Sequence, residues 1–208
     1  MPGDRRGAPA RALALARQAF HLMLLPRGAA RVYVRALRTA RREHDGWSLA
    51  VATRPRELRV ILAAARGRRR AVEVGTGTGW TTLMLAAGDS RRRVLSLDPV
   101  ERPAREIYLG LAGADVRGRI ELRRTGGEAP PLAGDGGVVF LFIDGAHGRA
   151  ETVAAFGAWR RALADDALVV FHDYGDPAYP GVAEAVAELG LRGEVRGRCL
   201  VWRLERDR

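Results

Sequence analysis

The sequence contains no lysine, no asparagine and a single cysteine, Cys199. One cysteine forms no internal disulfide and supplies no thiolate set for a zinc knuckle, so a reducing cytoplasm is the expected compartment. Long hydrophobic runs are missing too. The longest near the start, Ala12 to Leu25, is shorter than a membrane span and is interrupted by Arg17, Gln18 and His21, so it is not expected to cross a bilayer. No small-residue cleavage signal follows it, and a secretory signal peptide is not expected. The arginine-rich, nearly acid-free opening has the composition of an organelle transit peptide, which a folded amphipathic helix explains at least as well.

With lysine absent, all 35 basic residues are arginine. That pattern fits codon usage in a GC-rich genome better than selection for phosphate contacts, so the net charge of +11 gives weak support to a nucleic-acid partner. The distribution is another matter. Residues 1–70 hold 17 arginines against Asp4, Glu43, Asp45 and Glu57, a net of +13, which leaves the remainder at −2. Codon usage does not produce such a split.

Length and a 47% hydrophobic content suffice for one α/β core with an appendage. The expected organisation is a basic helical extension over residues 1–50 and a catalytic domain over 51–208. Residues 10–25 read as an apolar helix, broken by Pro26 and Gly28 before a second helix from Ala29 to Glu43. Arg31, Arg35, Arg38 and Arg42 share one face of that helix, and Val34 and Leu37 share another. A break at His44–Trp47 precedes a third helix from Pro55 to Ala65. From Ala71 the pattern changes to short β-branched runs alternating with helical segments, the mark of a parallel sheet with crossover helices. Strands are expected at Ala71–Val74, Val94–Leu97, Ile120–Arg123, Val138–Ile143, Ala167–Phe171 and Cys199–Leu204. Helices are expected at Thr81–Ala87, Pro103–Ala112, Ala150–Leu163 and Val182–Leu189.

The strongest local signal is Ala-Val-Glu-Val-Gly-Thr-Gly-Thr-Gly-Trp, which puts Gly75, Gly77 and Gly79, with Thr76 between them, at the handover from first strand to first helix. Glycines there permit a tight turn and close approach of a ligand to the backbone. The spacing departs from the dinucleotide fingerprint G-x-G-x-x-G, because the third glycine comes one residue early, and this disfavours NAD and FAD. Asp98 lies nineteen residues beyond Gly79, at the end of the second strand. An acid there can accept both ribose hydroxyls of a nucleoside, while Glu73 can meet a cationic amino group directly or through water.

Together these features resemble the first two motifs of the class I S-adenosylmethionine-dependent methyltransferases, over residues 71 to about 204. The resemblance implies a Rossmann-like, doubly wound, mostly parallel seven-stranded sheet with helices on both faces, and S-adenosylmethionine as cofactor. It also implies an adenine contact just after the third strand. The usual Gly-Asp-Ser is absent there, and Glu128 or Thr125 stands in its place.

The fourth strand ends in Phe-Ile-Asp-Gly-Ala-His and the fifth in Val-Phe-His-Asp-Tyr, so Asp144, His147, His172 and Asp173 are expected to converge at the ligand-binding edge of the sheet. Helix capping by Asp144 and ordinary hydrogen bonding by the histidines is the alternative reading. The pair of motifs is similar to the catechol-type and macrolide-sugar O-methyltransferase branch. That similarity implies a divalent ion on Asp144 and Asp173, with His172 less suited to magnesium, which prefers oxygen. It assigns the general base to His147, with Asp144 beside it at both cofactor and acceptor. O-methylation of a small-molecule hydroxyl is the function implied. The alternatives are a methyltransferase acting on RNA or protein through the basic first third, and a non-catalytic protein that kept the fold. Self-association through the N-terminal helices is a further expectation.

Overall fold

The computed structural model describes residues 7–205, so the first six residues of the expected extension and the last three of the expected domain lie outside the described residues. Four helices come first: α1 (Gly7–Met23), α2 (Arg27–Arg42), α3 (Gly46–Val51) and α4 (Pro55–Ala64). The alternating part runs β1 (Arg70–Val74), α5 (Trp80–Gly88), β2 (Arg93–Leu97), α6 (Ala104–Leu109), α7 (Ala114–Arg117), β3 (Ile120–Arg123), β4 (Val138–Ile143), α8 (Arg149–Arg160), β5 (Leu163–Phe171), α9 (Pro180–Glu188), β6 (Glu194–Arg196) and β7 (Cys199–Arg203). No helix among the described residues is long and apolar enough to cross a membrane.

The seven strands form one sheet in the order β3-β2-β1-β4-β5-β7-β6. Strands β1 to β5 are parallel, and β7 and β6 are added antiparallel. This is the Rossmann-like, mostly parallel, doubly wound sheet implied by the sequence. Because side chains alternate along a strand, a sheet covered on both faces must be apolar at successive positions. Ala71, Val94, Phe140, Phe142 and Val170 accordingly face α2, α4 and α5 on one side. Val72, Leu97, Leu141, Val169 and Phe171 face α8 and α9 on the other. The strand order reverses between β1 and β4, which opens a crevice at the carboxyl ends of those two strands.

Four local expectations need correction. Gly28 does not break a helix: it lies inside α2, where a Cβ would come within 2.2 Å of the Ala87 carbonyl oxygen of α5. The break at His44–Trp47 instead starts α3. Asp45 caps it by accepting from Ser48 N at 2.9 Å and Ser48 Oγ at 2.6 Å. The single helix expected over Pro103–Ala112 ends at Leu109, and after Gly110 and Gly113 the short α7 follows. The sequence reading missed β6, three exposed residues without an apolar face to betray them. One crossover is also unusual: residues 124–137, between β3 and β4, hold no helix.

Candidate active site

A cavity of about 550 Å³ occupies the crevice at the carboxyl ends of β1, β2, β4 and β5. Its floor is the turn from β1 into α5. Gly75 has φ +100°, and a Cβ there would lie 2.0 Å from the Asp144 carbonyl oxygen, so no larger residue fits between the two strand ends. Gly79, at φ +85°, opens α5. Thr76 Oγ1 sits 2.7 Å from Ser96 Oγ, which pins the loop to β2.

Asp98 borders the cavity at the end of β2. Its Oδ2 accepts from Gly77 N at 2.7 Å and from Arg105 at 2.9 Å, and its Oδ1 accepts from Val100 N at 2.8 Å. Arg105 also donates to the Gly77 carbonyl oxygen at 2.8 Å, so a ribose on Asp98 would share the carboxylate with this arginine. Glu128 and Gly127 also border the cavity, whereas Thr125 does not. Glu73 does not reach it. The side chain is fully buried behind the loop, where Ser96 Oγ donates to it at 2.5 Å and Thr82 Oγ1 donates to the same oxygen. Burial pushes its pKa up to about 8 against the pull of those two hydroxyls.

On the acceptor side the structure brings together all four residues that the strand ends suggested. His147 Nε2 lies 3.0 Å from Asp173 Oδ2 and 3.8 Å from Asp144 Oδ1. His172 Nδ1 lies 2.9 Å from Asp144 Oδ1 and 3.2 Å from Asp173 Oδ2. Asp173 holds a left-handed backbone at φ +53°, a cost that non-glycine residues bear where the surroundings fix them. Hydrogen bonding of the imidazole to the Asp144 and Asp173 carboxylates raises the His147 pKa to about 9. Burial works against charge on His172, but Asp144, Asp173 and Glu57 outweigh it and hold that imidazole far above its usual range. Asp144 and Asp173 resist the upward pull of burial because the two imidazoles hold both below the usual carboxylate range.

Ligand atoms of Asp144, His147 and Asp173 lie within 4.8 Å of one another, a donor set of two carboxylates and one imidazole that suits a divalent cation. His172 stands outside that group. Its Nδ1 faces the two acids, and its Nε2 points to Glu57 Oε2 at 3.6 Å.

Several cavity residues escaped the sequence reading. Glu57 sits in the first turn of α4 and accepts from Arg54 N at 3.1 Å, so in sequence it looks like a helix cap and nothing more. Tyr179 stacks on His147 with ring centroids 4.1 Å apart. Trp47, on α3, lies over the glycine loop, its ring 3.6 Å from the place a Gly77 Cβ would occupy. The Arg102 guanidinium lies over that indole, 3.9 Å from the ring centroid, and both residues border the cavity. Tyr108 anchors α3 by donating to Asp45 Oδ2 at 2.7 Å, and Ser48 Oγ meets Thr78 Oγ1 at 3.0 Å.

Residues 72–174 match the model of a family described as a methyltransferase domain. Comparison with curated proteins gives no match. Among solved structures, the chain is similar to apo CalS11, a TDP-rhamnose 3'-O-methyltransferase of calicheamicin biosynthesis, at 18% identity and a TM-score of 0.56, over 70% of this chain and 77% of that one. It is similar to an O-methyltransferase from Bacillus cereus in complex with S-adenosylhomocysteine, at 18% identity and a TM-score of 0.56, over 76% and 84% of the two chains. TomG, an O-methyltransferase from Streptomyces achromogenes in complex with S-adenosylmethionine, matches at 20% identity and a TM-score of 0.54, over 67% and 70%. At these identities the likeness shows a shared fold.

Proposed function

From the match of residues 72–174 to the methyltransferase domain family, we propose that this chain is a methyltransferase that transfers a methyl group from S-adenosylmethionine to a hydroxyl of a small molecule. The observation that carries the reading is the meeting of Asp144, His147 and Asp173 beside the glycine loop, in one cavity. The O-methyltransferases of similar fold agree with it, two of them holding the cofactor or its product.

The glycine loop and Asp98 bind the nucleoside end of the cofactor, with Glu128 at the base. Methyl transfer is an in-line displacement: the acceptor oxygen bonds to the methyl carbon as the carbon–sulfur bond breaks, leaving a neutral thioether. The acceptor proton must leave during that step. With Nε2–H donating to Asp173, the lone pair of His147 is on Nδ1, the atom that takes the proton. Tyr179 and Asp173 hold the ring in place. A divalent cation on Asp144 and Asp173 would lower the hydroxyl pKa and offset the carboxylate charge that otherwise keeps His147 protonated.

His147→Ala should leave S-adenosylhomocysteine affinity by calorimetry nearly unchanged and lower methylation of an accepted hydroxyl substrate by roughly 10²–10⁴-fold. Chelation should weaken the parent enzyme, and magnesium or manganese should restore it. If a chelator has no effect while His147→Ala abolishes turnover, the cation is discarded and the base kept. If neither changes the rate, the acceptor site is wrong.

A further inference from the structure

A second cleft, of about 500 Å³, opens at the other end of the sheet, where β1, β2 and β3 begin. Its origin is the missing crossover helix. The steps from β1 to β2 and from β2 to β3 run outward and the step from β3 to β4 runs back, so a crossover helix on that last step would cover the opposite face from α5. Residues 124–137 provide none. Leu95, half-buried, is therefore left at the floor of the cleft, beside Val72, which α8 covers.

Arginines from three segments rim this floor: Arg69 and Arg70 where β1 starts, Arg91 and Arg93 where β2 starts, and Arg119 before β3. Two acids stand against these five arginines, and of the two Asp135 also feels the charge of Arg70. Glu121 and Asp135 also border the cleft, but Arg123 already binds both, at 2.7 Å to Glu121 Oε1 and 2.9 Å to Asp135 Oδ1. Arg119 is already engaged, donating to the carbonyl oxygens of Ala86, Asp89, Arg92 and Asp115, so the exposed arginines of the other two strand starts are the ones available to a ligand. Arg91 and Arg93 are exposed, and neither joins an ion pair among the described residues.

We propose that this cleft binds a small ligand bearing clustered phosphates, of the nucleoside diphosphate or triphosphate class. Arg70 and Arg93 are register partners on adjacent strands, and with Arg69 and Arg91 beside them they can offer paired donors to the several oxygens of linked phosphates. The volume is that of a small-ligand site, and the apolar floor suits the remainder of such a molecule. A nucleic-acid backbone would call for a track of charge along the surface, whereas these residues surround one concavity. The cleft lies at the far end of the strands from the glycine loop, so the inference stands apart from the methyl-transfer reading.

Calorimetry of the full chain with inorganic tripolyphosphate at about 0.15 M salt tests it. One saturable site per chain is expected. Arg91→Glu combined with Arg93→Glu should weaken binding roughly tenfold or more. Arg31→Glu with Arg38→Glu, the same change in net charge on the exposed face of α2, should leave binding as in the parent. Tripolyphosphate should also raise the melting temperature of the parent and of the α2 variant, but not that of the cleft variant. Titration without saturation, or equal weakening by both double variants, would overturn the proposal. Single-stranded RNA that displaces tripolyphosphate and covers many nucleotides per chain would assign the cleft to a polymer instead.

Discussion

Glu73 shows how a residue can be legible in type and misplaced in role. Its position just before the glycine loop suggested contact with a cationic amino group, yet the side chain turns inward and reaches the loop only through Ser96, whose hydroxyl meets both Glu73 and Thr76. One of its oxygens, Oε1, is buried without a partner. A carboxyl pushed up to about 8 stays protonated in the fold while the unfolded chain ionises near its ordinary range. Its contribution to stability is therefore fully present below about pH 4.5 and is lost as the pH climbs to about 8. Glu73→Gln removes that ionisation. Denaturant titrations at several pH values should show the variant gaining on the parent between those limits and holding a constant advantage above them. A parent–variant difference that did not change with pH would mean that Glu73 is ionised in the fold. The same local blindness hid Glu57 and Arg105: each sits in a helix where a charged residue is ordinary, and only the folding of distant segments turns Glu57 toward the cavity and Arg105 onto Asp98.

At the scale of elements, α3 was illegible because six residues are too few to display a periodicity. Its place over the glycine loop is set by Asp45, Ser48 and Tyr108 acting across the fold. The indole of Trp47, close to Gly77 and under the Arg102 guanidinium, makes α3 part of the lining of the proposed cofactor site. Trp47→Ala and Arg102→Ala should each speed dissociation of S-adenosylhomocysteine by roughly three- to thirty-fold, the range of one partly desolvated cation–π contact. The double variant should do little more, because the two residues act as a unit. Stopped-flow tryptophan fluorescence can follow this, and additive effects would show that they act separately. The contact between α2 and α5 offers a comparison of sign. An exposed helical glycine generally becomes more stable on replacement by alanine, by about 0.5–1 kcal/mol, and Gly157 in α8, with open space within 4 Å of where a Cβ would lie, should behave so. Gly28→Ala should be destabilising by about 1–3 kcal/mol, since its Cβ would meet backbone that cannot swing aside. Thermal melts of the two variants should move in opposite directions.

For the molecule as a whole, the sequence was most informative where long apolar strands bear on both faces of the sheet. The five parallel strands, and the polar residues at the ends of β1, β2, β4 and β5, followed from alternation and from glycine spacing. What it could not convey was which neighbours the sheet would have: the absent crossover helix after β3, the exposed β6, and the depth to which the N-terminal helices are built into the core. That last feature bears on how the chain is made. Ala29, Val32, Tyr33, Ala36 and Ala40 of α2 are buried in one cluster with Trp80, Leu83 and Met84 of α5. During synthesis α2 therefore leaves the ribosome before the helix it packs against exists, by about 2–8 s at ordinary translation rates. Through that interval its apolar stripe has no native cover. Arg31, Arg35, Arg38 and Arg42 along its outer side supply a strong like charge on each nascent chain, so neighbouring chains on one message repel while α2 waits. Like charge of this kind opposes association of unfinished chains, whatever else the basic first third contributes.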